Sequence, residues 1–335
     1  MFNKFIDGSL YNFDGHFYDN GKKYVKIFKH KNKPKLIKKN KKIYEKQLEV
    51  YNKFYPKILY EISGIADALG MDTEKLIQFM ITPFKIDGCS IFSYNGLIGR
   101  NYDWLTNSID TIEIFRVKTP NLYSFLCIND GTSVKSTKKD KDGFYIIEQY
   151  IDTICGDDYI NEKFLYIGIL FSYVKKNTIG LTCLHFMRRI AELCKNIDEV
   201  LKYMKEVPCA TPKFYFVSDK SGKSIVIEHF GGTDYRVLHS SSCLLIHTNH
   251  VLDKQYIKYD NKKTRKESIE RYNTIKTLCR KNKPKTLIEI KTILDDDKVF
   301  AMYKGREATV YQLLMDMRNK KIYFCWKHKI YKLKL

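Results

Sequence analysis

No Cys-x-x-Cys pair occurs in the 335 residues, and the nine cysteines are odd in number and widely scattered. That excludes a disulfide framework and a four-cysteine zinc site, and it leaves most of the thiols as reduced, small apolar core residues. The one Cys-x-x-His, Cys325 to His328, has no second ligand pair near it and is not read as a metal centre. Long apolar runs are missing too. Stretches such as Phe164 to Phe171 are far short of a bilayer span, and the first residues lack the basic end, apolar middle and small-residue cleavage site of a secretion signal. A cytoplasmic protein without a membrane span is expected. There is no P-loop, dinucleotide-binding glycine fingerprint, zincin helix or EF-hand loop, so no cofactor or metal is expected. Neither an internal repeat nor a Pro/Gly/Ser-rich linker divides the chain.

Acid is in short supply: 38 acidic residues face 59 basic ones, a net charge of +21. Such an excess invites a nucleic-acid reading, because Lys and Arg neutralise phosphates and release counterions. The distribution argues against it. Lys22 to Lys46 holds 12 lysines and one acid, Glu45, yet residues 1–88 carry only +7 and the remaining +14 is spread over the rest of the chain. A charge run is usually a solvated face, so no specific nucleic-acid partner is expected.

What is present is 44% hydrophobic and 14% aromatic, enough for a large core. The pattern changes near residue 88. Before it, Lys22 to Gln47 reads as basic and partly extended. Leu48, Tyr51, Tyr55, Leu59, Ile62 and Leu69 then make an apolar stripe on helices that end at Gly70, with Pro56 as a break and Asp72 as the cap of a further short helix. After it come strands. "CSIFSYNGLIGRNY" holds Asn95-Gly96, the strongest short hairpin signal. More strands are expected at "TIEIFRVK", "LYSFLCI", "FYIIEQYI" and "KFLYIGILFSYV". A helical block with Asn196 as an internal cap follows, then a hairpin over Asp219 to Gly222, "DYRVLHSSSCLLIHTNHV", two helices and a closing hairpin turning at Arg318 to Lys320. The sum is an α+β layered architecture of two sheets covered by helices.

Gly88-Cys89 stands at the head of the first hairpin. A lone cysteine there is ordinarily packing. Gly88, however, lacks a Cβ, so its carbonyl can be approached closely by the next residue's thiol. If that thiol attacks and the resulting ester is hydrolysed, Cys89 becomes a new N-terminus. Its α-amine, with a reference pKa of about 8, then serves as the base for its own thiol, and no histidine is needed. The returning strand brings Arg100 and Asp103 back toward Cys89. Asp103 could orient the amine, and Arg100 could favour thiolate or hold a carboxylate. His185, His229, His239, His247 and His250 stand in no recognisable local signature, and only His250, beside Asn249, is kept as a site neighbour.

"GC" opening a hairpin that returns as "GRNYDW" resembles the N-terminal-nucleophile hydrolases of the choloylglycine hydrolase and penicillin V acylase type. The helical segment ahead of an internal Gly-Cys is most similar to their acyl-CoA:6-aminopenicillanic acid acyltransferase branch. The resemblance continues through "DDYINEKFLYIGILF", the helical pair "CLHFMRRIAELCKNIDEVLKYM", "HTNHVLD" and "SIERY" to the last hairpin. It implies an αββα sandwich of two stacked, mostly antiparallel sheets between helical layers. Residues 1–88 would form a mostly helical prosegment, removed or retained after cleavage between Gly88 and Cys89, and residues 89–335 the catalytic domain. By the same resemblance Cys89 is the nucleophile, Asp103 the partner of its amine and Arg100 its neighbour. Asn249 and the Phe171 N–H are the oxyanion donors, and Arg271 helps to hold the site together.

Two departures stand out: Phe164 occupies a position that is usually glycine, and Phe171 one that is often polar. The implied reaction is hydrolysis of a linear N-acyl amide through a thioester on Cys89, the partner being a small-molecule amide. Acyl transfer, with acyl-CoA as a co-substrate, uses the same thioester. A basic binding protein on the same fold is the reading from a different class. A heterodimer of the cleavage products and a homo-oligomer both stay open.

Overall fold

Two glycines decide how the first helices meet. The computed structural model describes residues 10–28, 41–81, 89–105, 109–130, 137–139, 145–147, 153–172, 174, 178–240, 243–260, 262–301 and 307–335. Strand β1 (Leu10–Asp14) is followed by helices α1 (Phe17–Ile27), α2 (Lys41–Phe54), α3 (Pro56–Leu69) and α4 (Thr73–Met80). Gly21 of α1 lies against the Glu61 carbonyl and Gly64 of α3 against the Tyr18 carbonyl, so closely that a Cβ at either position would meet backbone. Pro56 opens α3, where its missing N–H costs nothing, and Gly70 ends it at φ 59°. Asp72 caps α4, accepting from the Lys75 N–H at 2.8 Å.

The partly extended stretch expected from Lys22 to Gln47 is corrected where it is described: residues 22–27 and 41–47 are helical, and residues 29–40 lie outside the described residues. Phe17, Tyr24 and Tyr51 turn inward while Lys22, Lys23, Lys41 and Lys42 turn out, so the charge run includes the wet faces of amphipathic helices.

Strands β2 (Ser90–Tyr94) and β3 (Leu97–Leu105) form the expected hairpin, with Asn95 and Gly96 at φ 50° and 82°. The chain continues through β4 (Glu113–Lys118), β5 (Phe125–Asn129), β6 (Thr137–Lys139), β7 (Tyr145–Ile147), β8 (Asp158–Asn161) and β9 (Tyr166–Leu170). Helices α5 (Cys183–Leu193) and α6 (Ile197–Glu206) lead into β10 (Lys213–Ser218), β11 (Ser224–His229), β12 (Tyr235–His239) and β13 (Leu244–His247). Helices α7 (Lys262–Asn282) and α8 (Leu287–Leu294) precede β14 (Glu307–Asp316), β15 (Lys321–Trp326) and β16 (Lys329–Leu333). An eight-stranded sheet runs β1-β4-β5-β8-β9-β10-β11-β12, and a six-stranded sheet runs β13-β2-β3-β14-β15-β16. Only the β1–β4 pairing is parallel in these sheets.

Period-two alternation sorts the strand residues into three cores. Phe214 and Phe216 face the six-stranded sheet, while Tyr215 and Val217 face α5, α6 and the N-terminal helices. Ile91 points between the sheets, and Phe92 points out to α7 and α8. The result is the expected αββα sandwich. No helix among the described residues is long and apolar enough to cross a membrane.

Four strands escape the sequence reading, the short β6 among them. β1 adds to the sheet from within the segment read as helical. β8 lies inside "DDYINE". β16 follows a turn in which Lys327 and His328 take φ 48° and 60°, so His328 serves a turn while Cys325 is buried in β15.

The segment 10–81 is built into the sandwich. Arg188 of α5 grips Glu61 of α3 with two N–H groups at 2.7 Å each and donates Nε to Glu192 at 3.0 Å. Tyr55 donates to Glu192 at 2.6 Å, and Tyr51 meets His185 Nδ1 at 2.7 Å. Gln47 donates to the Gly180 carbonyl and accepts the Gly180 N–H at 3.0 Å. All of these side chains are buried.

Candidate active site

Cys89 lies just ahead of β2, between an arginine reaching from inside the sandwich and another reaching from α7. The hairpin register sets the first: Arg100 lies opposite Ile91, and its side chain runs between the sheets to place Nη2 3.4 Å from Cys89 Sγ and 2.7 Å from the Ile169 carbonyl. Its Nε lies 2.9 Å from Asp158 Oδ2. Two phenols complete this carboxylate: Tyr166 donates to Oδ1 at 2.6 Å and Tyr311 to Oδ2. Tyr311 stacks on Tyr102, centroids 4.7 Å apart, and the Arg100 guanidinium lies 5.6 Å from the Tyr102 ring.

Arg271 is the second clamp. Nη1 donates to the Cys89 carbonyl at 2.9 Å, to Ser90 Oγ and to Asp103 Oδ2 at 3.1 Å, while Nη2 donates to Asn249 Oδ1 at 2.8 Å. Asn249 Oδ1 also accepts the Cys89 backbone N–H at 3.1 Å, and its Nδ2 donates to the Phe171 carbonyl at 3.2 Å. The asparagine is placed by Ser268, whose hydroxyl accepts the Asn249 N–H at 2.7 Å and meets Thr248 Oγ1 at 2.8 Å. Thus Cys89, Arg100, Asp103, Phe171, Asn249 and Arg271, 182 positions apart at the extremes, converge on one corner of the sandwich.

Two details differ from the expectation. The Asp103 carboxylate meets Arg271 and the Thr309 hydroxyl (2.7 Å), while the Cys89 nitrogen is held by Asn249. In the uncut chain that nitrogen is an amide with one proton to give, and Asn249 takes it. It is also the Phe171 carbonyl, not its N–H, that faces Asn249.

A third difference concerns Phe164. It sits at φ 58° between β8 and β9, in the left-handed region that a glycine would favour. Asn161 enforces this by accepting the N–H groups of Lys163 and Leu165, each at 3.1 Å. The departure from glycine therefore changes the residue and keeps the turn.

Electrostatically the corner is closed and compensated. Burial pushes the Cys89 thiol up to about 12, against the opposing pull of Arg100. Burial also holds Asp103 above its usual range against the pull of Arg271 and Thr309, and Asp158 above its usual range against the pull of Arg100. Among the described residues no histidine is bonded to Cys89. His250 meets Ser268 and Thr248, His247 pairs with Glu228 at 2.9 Å, His229 accepts the Gly231 N–H, His185 lies between Tyr51 and Thr153, and His239 is exposed.

Sequence reasoning missed Ser268, Asp158, Thr309 and the two tyrosines as site residues. Ser268 opens the quoted "SIERY" and Asp158 sits in the quoted "DDYINE", so both were within reach. Thr309 gives no local signal, because its hydroxyl reaches Asp103 only through the β3–β14 pairing and lies beside a register shift there.

Val174, Phe230, Asp234, Gln255, Tyr256 and Tyr259 line a cleft of about 410 Å³. Val174 and Phe230 belong to the apolar cluster that also holds Cys89. Among the described residues no group of three or more His, Cys, Asp or Glu side chains is arranged to hold a metal ion.

No curated protein matches the chain in sequence. A mutant conjugated bile acid hydrolase from Clostridium perfringens superposes with a TM-score of 0.50 at 16% identity, over 74% of this chain and 92% of that one. The N-acylethanolamine-hydrolyzing acid amidase ortholog of Caenorhabditis elegans gives a TM-score of 0.47 at 12% identity, over 74% and 100%. The former shares the N-terminal-nucleophile fold. The sequence pattern of the acyl-coenzyme A:6-aminopenicillanic acid acyl-transferase family matches residues 92–331, from three positions past Cys89 nearly to the end. Spanning well over half of the chain, that match includes Arg100, Asp103, Phe171, Asn249 and Arg271, and the chain belongs to this acyl-transferase family.

Proposed function

We propose that this chain is a self-processing cysteine amidohydrolase, cut between Gly88 and Cys89, that hydrolyses a linear N-acyl amide through a thioester on Cys89. One observation carries the reading. The N–H, the carbonyl and the sulfur of Cys89 are each held by a different polar side chain, Asn249, Arg271 and Arg100, which is far more than a packing cysteine requires.

In processing, the Cys89 sulfur adds to the Gly88 carbonyl carbon, the peptide C–N bond breaks, and the chain is joined through a thioester. Water then hydrolyses the thioester, leaving a Gly88 carboxylate and a free amine and thiol on Cys89. Gly88 itself lies outside the described residues. In turnover the thiol attacks the substrate carbonyl while the α-amine takes its proton. Asn249 Nδ2 has two protons and spends one on Phe171, so the other can serve the oxyanion. The proton passes to the leaving amine, and water releases the acid from the thioester. If an amine takes the acyl group in place of water, the same site is an N-acyltransferase, as the family's description names it. Release of free acid is favoured because water needs no second binding site.

The test is turnover of a panel of linear N-acyl amides with and without an added amine acceptor, alongside peptide mass analysis for an acyl group on Cys89. Acid released by the wild type and lost in Cys89→Ala supports hydrolysis, and acyl transfer to the amine supports the second reading. Unchanged turnover in Cys89→Ala sinks both. Salt-dependent polyanion binding with no turnover would favour the basic binding protein instead.

A further inference from the structure

We propose that Asp158 is a positioning residue that keeps the Arg100 guanidinium occupied, so that Cys89 stays a neutral thiol in the uncut chain. The proposal rests on the reading of Cys89 as the nucleophile. Arg100 is fully buried, and of its three polar contacts the sulfur is the most distant: 3.4 Å, against 2.9 Å to Asp158 and 2.7 Å to the Ile169 carbonyl. Its Nε faces Asp158 as an ion pair without hydrogen-bond geometry, and its Nη1 has no hydrogen-bond partner among the described residues.

Asp158 is equipped to remain a carboxylate. It accepts the Tyr166 and Tyr311 hydroxyls and faces Arg100, so each oxygen has a donor or a cation that works for the ionised form against burial, which holds the carboxyl above its usual range. The other charges at the corner repeat the arrangement: Arg271 has Asp103 at 3.1 Å. Asp157 and Asp130 stand behind Tyr102, and burial together with Asp130 holds the Asp157 carboxyl well above its usual range.

A lone buried cation beside a sulfur draws out thiolate. Here each cation already faces a carboxylate, and Asp103 and Asp158 work against the pull of Arg100 on the sulfur. The thiol is thereby shielded from oxidants and electrophiles, which attack thiolates. In turnover, the amine that cleavage frees on the same residue takes its proton.

The test is the rate of Cys89 alkylation by iodoacetamide at pH 8, read peptide by peptide on the peptide in which the Gly88–Cys89 bond is still uncut. Asp158→Asn should raise that rate about tenfold or more, one pKa unit of thiol acidity being a factor of ten in thiolate. Asp158→Glu, which keeps the charge, should alkylate like the wild type. In Asp158→Asn with Arg100→Gln the acceleration should vanish, because it acts through the guanidinium. Buried Cys127 and Cys155 should stay slow in every variant, which separates a charge effect from loosened structure. If Asp158→Asn fails to fold by that criterion, Asp158→Ser is the second neutral variant. A rate that does not rise, or a rise that survives without Arg100, overturns the proposal. Because alkylation is read without any turnover, it stands or falls separately from Cys89→Ala activity, which tests the nucleophile itself.

Discussion

Asn249 does two jobs with one amide. Its oxygen holds the Cys89 N–H and Arg271, and its nitrogen donates to the Phe171 carbonyl and, in the proposed reaction, to the oxyanion. Asn249→Ala should therefore leave the fold largely intact while turnover falls about 10²–10³-fold, to be checked by kcat against thermal unfolding of the same sample. Its identity as a site residue was legible in the Thr-Asn motif, but its Cys89 contact was not, because 160 positions separate the two residues and only the β2–β13 pairing joins their strands. Phe164 carries the complementary lesson. Its side chain suggested altered geometry, whereas the Asn161 cap imposes the left-handed turn regardless, at a cost of about 1–2 kcal/mol for a residue with a Cβ. His185 yields a pH prediction. Burial, with Arg188 nearby, lowers it to about 3, so between pH 6.5 and that value the unfolded chain binds a proton that the folded one refuses. Its contribution is present above the unfolded pKa and is lost as pH falls, by about 1.4 kcal/mol per pH unit at most. The stability gap between wild type and His185→Asn should narrow from pH 7 to pH 5 in denaturant titrations.

At the scale of elements, the N-terminal helices depend on close backbone approach and on one buried ion pair. A Cβ on Gly64 would meet the Tyr18 carbonyl, so Gly64→Ala should force α1 off α3 and cost about 1–3 kcal/mol or more in chemical denaturation. Glu61→Leu alone should cost about 3–5 kcal/mol, because it strips Arg188 of its bidentate partner, and adding Arg188→Met should recover part of that loss. Helices with strong local signals, such as those bounded by Pro56, Gly70, Asp72 and Asn196, were legible in the sequence because caps and breaks act within a few residues. The strands β1 and β16 were not. Each is five residues long and set by pairing with β4 and β15, and a segment as short as "LYNFD" carries too little periodicity to reveal its partner.

At the scale of the molecule, the segment ahead of Cys89 supplies an edge strand, buried aromatic residues and the partner of Arg188. Cleavage should therefore yield two chains that stay together, the first as a small subunit and not as a discarded leader. The order of motifs made the family readable, while this dependence of the sandwich on its own N-terminal segment emerges only from contacts between parts distant in sequence. The claim that organises all of this is that Cys89 cuts the chain in front of itself. Intact mass of the purified protein beside Cys89→Ala, read together with native size exclusion, tests it most directly. The account predicts that the wild type resolves into residues 1–88 and 89–335, co-eluting as one particle, while Cys89→Ala remains a single full-length chain. A wild type that stays whole under every condition, or a Cys89→Ala chain cut at the same bond, would contradict it.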